Sequence, residues 1–380
     1  MFLIFAGAAV MATLALYARQ ALLVGYIALG VLVGPYALGW VSDTNVIQDI
    51  AQIGIIFLLF LLGLNLHPQK LIHLLRETTL VTLSTTLLFA VAGWGTARLA
   101  GYSFEDSLLI GIAGTFSSTI IGLKLLPTTV LHHRHMGEVI ISVLLLQDVL
   151  AIVVLLVLQG LASGDAPATH VLLALLGLPA LSVAAYLLDR FVLLKLIARF
   201  DRVQEYIFLL AIGWCLGIAQ CAHWLGLSHE IGAFIAGVAV ATNPISRYIA
   251  ESLKPLRDFF LVMFFFALGA GLNLEVAGQV LIPAALLAVV LLAIKPPLFR
   301  WFLVHSAERE ELAWETGWRL GQMSEFALLI AFLAMELELV SPDAAYLIQV
   351  ATILTFIAST YLIVLRYPTP IAVSDRLRRD

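Results

Sequence analysis

Long apolar runs, separated by short polar or Pro/Gly-rich breaks, fill the chain as far as Arg366. A helix that crosses a bilayer needs about 20 mostly apolar residues, whereas a membrane β-strand needs about ten residues of alternating polarity. The runs are long and do not alternate, so they predict helices. We place thirteen candidate spans at about 2–17, 21–39, 50–66, 79–101, 107–126, 138–160, 170–194, 204–225, 229–243, 257–273, 278–304, 312–337 and 342–366.

The composition excludes most other classes of protein. Hydrophobic residues make up 62% of the 380 positions, charged residues make up 12%, and the mean hydropathy is +1.02. A soluble domain carries about 25% charged residues and still has to cover its surface with polar groups. A soluble enzyme, a nucleic-acid-binding protein and a disordered scaffold are therefore excluded. The sequence predicts an all-α polytopic membrane protein.

The distribution of basic residues predicts the orientation of the spans. Of the 21 Lys and Arg residues, 17 fall in loops on one side, Arg98 alone falls on the other side, and three lie within spans. Short cytoplasmic loops carry the excess of Lys and Arg. We therefore expect the N-terminus outside, the C-terminus in the cytoplasm and an odd number of spans.

A weak internal repeat predicts two related halves. VGYIALGVLV (24–33) resembles IGAFIAGVAV (231–240) at an offset of 207, and GLNL recurs at 63–66 and 271–274 at an offset of 208. The matched spans are seven apart, so the halves would enter the membrane in opposite directions. We expect inverted repeats at 1–160 and 204–366 and a connector helix at 170–194. Together these form one transmembrane domain at 1–366, followed by a cytoplasmic tail at 367–380. Inverted repeats are typical of secondary transporters.

Four ionisable residues lie deep inside the predicted spans, namely Asp148, Lys295, Arg319 and Glu325. Such residues are costly in a bilayer and usually face a cavity and carry function. Asp148 is the only acidic residue in an apolar run from 139 to 158. It fits a site that holds either a proton or a dehydrated cation. The alternative is a structural carboxylate that caps a helix or neutralises Lys295.

The fifth span carries glycine and hydroxyl residues at mid-depth: Gly114, Thr115, Ser117, Ser118 and Thr119. These residues fit a broken helix whose freed backbone groups line a cavity, although small residues also favour close helix packing. The offset of 208 carries this segment onto 322–327 in the twelfth span, which includes Gln322 and Ser324. Irregular segments at matching positions of two halves point to a transport site.

Five motifs in order resemble a known family: GTFSSTIIGLKLL, LLLQDVLA, LGLSHEIGAFIAGVAVA, FFFALGAGLNL and RLGQMSEFALLI. They resemble the cation:proton antiporters, and most of all the membrane domain of the Kef-type potassium/proton branch, over essentially the whole chain. The resemblance implies thirteen helices in two inverted six-helix repeats. It also implies two broken, crossing helices in a core domain and a separate dimerisation domain.

The resemblance also assigns roles to individual residues. Asp148 matches the ion- and proton-binding aspartate, and Gln147 stands where electrogenic members have a second aspartate. Lys295 is similar to a core lysine that pairs with that carboxylate, and Arg319 is the other deep cation of the core. Glu325 matches the glutamate of a Gly-Glu-Phe motif, with Ser324 in place of the glycine. We expect Gln147 and the hydroxyls or carbonyls of Thr115, Ser117, Ser118 and Thr119 to complete the ligands of the cation.

These observations lead to a functional hypothesis of electroneutral potassium/proton antiport by alternating access. The alternatives are a sodium/proton antiporter of the same fold and a ligand-gated potassium channel, although no carbonyl-rich selectivity loop of the TVGYG type is found. No enzymatic activity, no cofactor, no nucleic acid and no metal beyond the transported K⁺ or Na⁺ are expected. A homodimer in the bacterial inner membrane is expected. Kef-type proteins continue into a cytosolic regulatory domain, so regulation here would come from a separate subunit or from a longer chain.

Overall fold

The computed structural model describes residues 1–41, 45–65, 68–126, 135–162, 167–200, 203–225, 227 and 229–370, and these residues are all-helical. The α-helices are α1 Phe2–Tyr17, α2 Leu22–Val33, α3 Asn45–Asn65, α4 Pro68–Leu99, α5 Phe104–Thr115, α6 Thr119–Lys124, α7 His135–Ala162, α8 Pro167–Leu188, α9 Leu194–Arg199, α10 Gln204–Trp224, α11 His229–Ala241, α12 Ile245–Ser252, α13 Lys254–Gly271, α14 Leu274–Gln279, α15 Leu281–His305, α16 Glu310–Arg319, α17 Glu325–Glu336 and α18 Pro342–Arg366. One π-helical turn, Asp189–Leu193, joins α8 to α9.

Within the described residues, five helices are long and apolar enough to cross a membrane: Thr78–Leu99, His135–Leu155, Gln204–Trp224, Leu281–His305 and Pro342–Arg366. They confirm the fourth, sixth, eighth, eleventh and thirteenth predicted spans. The apolar helices α1, α2 and α11 are shorter, at 16, 12 and 13 residues. The total of thirteen spans stays a prediction, and residues 371–380 of the predicted tail lie outside the described residues.

Two matching glycine contacts give a register for comparing the predicted halves that differs from the register read from the sequence. A methyl group on Gly111 of α5 would lie 2.5 Å from Ala90 O of α4, and one on Gly317 of α16 would lie 2.6 Å from Pro296 O of α15. These glycines are 206 positions apart, as are the first residues of α6 and α17, Thr119 and Glu325. The offset of 208, read from short glycine-rich matches, is therefore two residues too large here. The segment equivalent to 114–119 is 320–325.

The described chain divides into two compact units, and each draws on both predicted repeats. The first comprises Met1–Trp40, His73–Leu155 and Gly269–Asp380, and the second comprises Val41–Ile72 and Leu156–Leu268. All the predicted site residues belong to the first unit. Its core contains Phe89 of α4, Ile140 and Leu144 of α7, Phe299 of α15 and Leu320, and the rings of Phe89 and Phe299 meet edge to face at 5.3 Å.

The second unit is built on close contact between α3 and α11. A methyl group on Gly63 of α3 would lie 2.5 Å from Phe234 O of α11. Next to α11, Trp214 Nε1 of α10 donates a hydrogen bond to Ala236 O at 3.1 Å. The small residues of α11 therefore allow its neighbours to pack against its backbone.

Candidate functional site

Two helical segments of the first unit are interrupted, as the sequence predicts. Between α5 and α6 the chain is extended at Phe116 (φ −74°, ψ 148°). Between α16 and α17 it is extended at Ser324 (φ −108°, ψ 157°). Each interruption frees backbone N–H and C=O groups, which need partners when they are buried. The local reason is polarity, because hydroxyl and amide side chains at both breaks compete with the helical hydrogen bonds.

The two breaks lie side by side, and hydrogen bonds connect them. Ser117 Oγ donates to Leu320 O at 2.7 Å, and Gln322 Nε2 donates to Ser118 O at 3.4 Å. All four residues are fully buried. Side chains of each break thus satisfy the freed carbonyl groups of the other.

Lys295 of α15 forms hydrogen bonds to both breaks. Its Nζ donates to Phe116 O at 2.9 Å, to Gln322 O at 3.0 Å and to Ser117 Oγ at 3.4 Å. It also lies 5.3 Å from the centroid of the Phe89 ring. Phe116 directly follows α5, and Gln322 follows α16 by three residues, so the ammonium stands near the negative ends of two helix dipoles.

The partners of the deep cations differ from those that the resemblance implies. In the described part of the chain no carboxylate forms an ion pair with Lys295, whose hydrogen bonds go to backbone carbonyls and a hydroxyl. Arg319 pairs with Glu315, one helical turn earlier, at 2.6 Å, and not with Glu325. The expected charge pairing is corrected accordingly. The physical reason is that two broken helices present carbonyl oxygens, which these cations satisfy.

Asp148 of α7 is 2% exposed and has one hydrogen-bonding partner among the described residues. Thr119 Oγ1, in the first residue of α6, lies 3.1 Å from one of its carboxylate oxygens and 3.3 Å from the other. A single hydroxyl donor is little compensation for a buried carboxylate, which needs either a proton or a cation.

Glu325 approaches the same end of α6. Its Oε1 accepts a hydrogen bond from Ile120 N at 3.4 Å, and its Oε2 has no hydrogen-bonding partner among the described residues. The Glu325 side chain is buried. The carboxyl groups of Asp148 and Glu325 therefore both contact the first turn of α6. Lys295 instead bonds to the carbonyl groups that follow α5 and α16.

The remaining predicted ligands hold the broken helix together. Gln147 accepts a hydrogen bond from Ser117 N at 3.0 Å and donates to Thr115 O at 3.4 Å, so it bridges the break. The Thr115 hydroxyl donates to its own helix, and the Ser118 hydroxyl accepts from Ile121 N of α6. Of the four hydroxyl residues predicted as ligands, only Thr119 contacts Asp148.

Gly114 lies inside α5 and not in the break. A methyl group there would lie 3.1 Å from the Leu291 side chain of α15. This contact supports the alternative reading of Gly114, in which a small residue allows two helices to pack closely.

Sequence reasoning missed two side chains of α18 that support the second break. Thr355 Oγ1 accepts a hydrogen bond from Met323 N at 3.1 Å, and Ser359 Oγ donates to Gln322 Oε1 at 2.9 Å. The signal is present in the sequence, because Thr352, Thr355 and Ser359 follow the i, i+3, i+7 spacing of one helical face.

The chain is similar to known proteins in sequence and in fold. A family model described as "Sodium/hydrogen exchanger, transmembrane" matches residues 3–365. The structure of the sodium proton antiporter MjNhaP1 from Methanocaldococcus jannaschii has a similar fold, with a TM-score of 0.70 and 19% sequence identity, over 95% of this chain and 96% of that chain. At this identity the structural likeness shows the fold, and the family model covers nearly the whole chain. The chain therefore belongs to the sodium/hydrogen exchanger family: it is a multi-pass membrane protein and a cation:proton antiporter, not an enzyme.

Proposed function

We propose that Asp148 is the shared binding site for the proton and for a monovalent cation. The observation that carries the proposal is the burial of Asp148 at the junction of two broken helices, with a single hydroxyl as its partner in the described part of the chain. A buried carboxylate in this setting is stable when it is protonated or when a cation neutralises it. Because the two ligands compete for one group, binding one releases the other, and this competition is the basis of antiport.

The oxygen atoms near Asp148 suit an alkali cation. Thr119 supplies a hydroxyl oxygen, and Glu325 Oε2 is a carboxylate oxygen with no other partner in the described residues. Carbonyl and carboxylate oxygens can replace the hydration shell of such an ion. In this proposal Gln147, Ser117 and Lys295 keep the breaks in shape, and Asp148 and Thr119 contact the ion.

The finer assignment is potassium/proton exchange, one ion for one proton. It rests on the resemblance of the Gln147–Asp148 pair to the Kef-type branch, and sodium fits the same oxygen ligands equally well. With glutamine at 147, one carboxylate of the pair carries the exchanged charge, so an electroneutral cycle is expected. Alternating access would expose Asp148 to each side in turn.

The proposed setting is the bacterial inner membrane, with the N-terminus outside and the C-terminus in the cytoplasm. The support for the orientation is the bias of Lys and Arg toward one set of predicted loops. A homodimer follows from the family resemblance, and regulation by a separate cytosolic subunit is an expectation of the same kind.

The test is flux in proteoliposomes that contain a pH dye and a voltage dye, with K⁺, Na⁺ and Li⁺ gradients applied in turn. We expect K⁺ to drive proton movement that saturates with concentration and leaves the voltage dye unchanged. A Na⁺ response without a K⁺ response would select the sodium alternative. Flux without proton coupling, with single-channel currents in a planar bilayer, would contradict antiport.

A further inference from the structure

Arg319, the last residue of α16, is a fully buried arginine whose partners belong to three different parts of the chain. Its Nε and Nη2 donate to Glu315 Oε1 at 2.9 and 2.6 Å within its own helix. Its Nη1 donates to Leu125 O at 2.9 Å, and Nη2 also donates to Pro368 O at 2.8 Å. Four donor contacts on one rigid planar group define its position closely.

The Leu125 carbonyl connects Arg319 to Asp148 through α6. Leu125 follows α6 directly and closes its last turn, with Leu125 N bonded to Ile121 O at 3.1 Å. At the other end of the same helix, Thr119 donates to Asp148 and Ile120 donates to Glu325. A helix of six residues is about 9 Å long. Arg319 therefore bonds to one end of a short helix whose other end contacts the carboxylates of Asp148 and Glu325.

The Pro368 carbonyl brings the segment after α18 into the same set of contacts. We call Arg319 with its partners Glu315, Leu125 and Pro368 the clamp. Tyr367 and Pro368 follow the end of α18 at Arg366, and the Arg319 guanidinium lies 5.8 Å from the centroid of the Tyr367 ring. Beside it, Arg366 lies 5.5 Å from the Trp318 ring of α16. Arg319 thus ties the ends of α6, α16 and α18 at one point, where its charge offsets the negative ends of three helices.

We propose that Arg319 is a positioning residue for the Asp148 site and that it acts through α6. This inference rests on the proposed role of Asp148, and it assigns to Arg319 a function other than the carboxylate pairing expected from the sequence. A purely structural role would support folding and leave the affinity of folded protein for the cation unchanged. A positioning role changes that affinity.

The experiment compares Arg319→Gln, Arg319→Lys and Arg300→Gln in proteoliposomes, with rates normalised to folded protein. Arg300 is the matched control, because it pairs with Glu310 at the exposed side of α15. We expect Arg319→Gln to raise the KM for the cation by about tenfold, as loss of a charge-assisted hydrogen bond displaces α6. The pH at which transport is half-maximal should move with it, because proton and cation share the site.

Arg319→Lys carries the test if the glutamine variant fails to fold. Lysine keeps the charge but cannot reach several carbonyls at once, so a smaller rise in KM, about threefold, is expected. An unchanged KM in every Arg319 variant that folds, with only Vmax reduced, would overturn the proposal.

Two further measurements test whether Arg319 acts on the Asp148 site through α6. If Arg319 acts on Thr119, the effects of Arg319→Lys and Thr119→Val on KM should be less than additive in the double variant, and additive effects would overturn the proposal. Amide hydrogen exchange over residues 119–126 should quicken in Arg319→Gln and not in Arg300→Gln, and unchanged exchange would contradict the clamp. Hydrogen exchange does not depend on transport, so it tests the clamp even if the wild type shows no proton-coupled flux, a result that would refute the proposed function.

Discussion

Replacing Lys295 with Met tests whether this buried cation binds the backbone carbonyls of the broken helices or pairs with a carboxylate. The ammonium donates at 2.9 and 3.0 Å to the carbonyls of Phe116 and Gln322. Hydrogen bonds to a charged group contribute about 1.5–3 kcal/mol each, so the two account for about 3–6 kcal/mol. Removing the buried charge also recovers part of its desolvation cost, which works in the opposite direction. We expect the free energy of unfolding to fall by about 2–4 kcal/mol.

The assay is unfolding in mixed detergent micelles, followed by the fluorescence of the seven tryptophans. It is applied to Lys295→Met, to Asp148→Asn and to the double variant. Among the residues that the structure describes, Lys295 and Asp148 share no hydrogen-bonding partner. The coupling energy between the two changes should therefore be below about 1 kcal/mol.

An ion pair predicts a different result. If Lys295 neutralised Asp148, removing both charges would cost less than the sum of the single changes, with a coupling energy of about 1–3 kcal/mol. A coupling energy of that size would refute the geometry described for Lys295. Lys295→Met with no loss of stability would refute its role at the two breaks.

Two further substitutions test the ion site and the packing around it. Thr119→Val removes the hydroxyl that contacts Asp148, and loss of a hydrogen bond to a charged group should raise the KM for the cation by about tenfold or more, measured as cation-driven proton flux. Gly317→Ala places a methyl group 2.6 Å from Pro296 O, and this clash with backbone should lower the free energy of unfolding by about 1–3 kcal/mol, measured by the same detergent unfolding assay.

Matched controls separate these effects from nonspecific damage. Thr115→Val removes a hydroxyl that bonds only within α5 among its described contacts, so its KM should stay close to that of the wild type. Gly95→Ala adds a methyl group that meets no described atom from another part of the chain within 4 Å, and it should not reduce stability. Equal effects in Thr115→Val and Thr119→Val, or in Gly95→Ala and Gly317→Ala, would contradict the assigned contacts.

The sequence indicated where the site lies because membranes make polar residues rare. Asp148 and Glu325 stood out against long apolar runs, and the hydroxyl cluster at 115–119 marked a helix that breaks. The second break followed from the internal repeat, with an error of two residues. That error arose because short glycine-rich strings match at several offsets, whereas the contacts of Gly111 and Gly317 fix one register.

The partners of the buried charges could not be predicted in the same way. A sequence shows that Lys295 and Arg319 cannot face lipid, but either a carboxylate or a set of backbone carbonyls satisfies a cation. The breaks and the end of α6 decide the matter, because the breaks release the carbonyls of Phe116 and Gln322 and the end of α6 releases that of Leu125, and no side-chain pattern reveals them. The supporting hydroxyls of α18 were missed for a related reason, since isolated serines and threonines in a helix also bond to their own backbone.

The central claim is that Asp148 binds the cation and the proton in competition. The most direct measurement is cation-driven proton flux in proteoliposomes for the wild type and for Asp148→Asn, with Asp343→Asn as the exposed-carboxylate control. The account predicts saturating flux in the wild type and in Asp343→Asn, and none in Asp148→Asn. Wild-type flux in Asp148→Asn would contradict it.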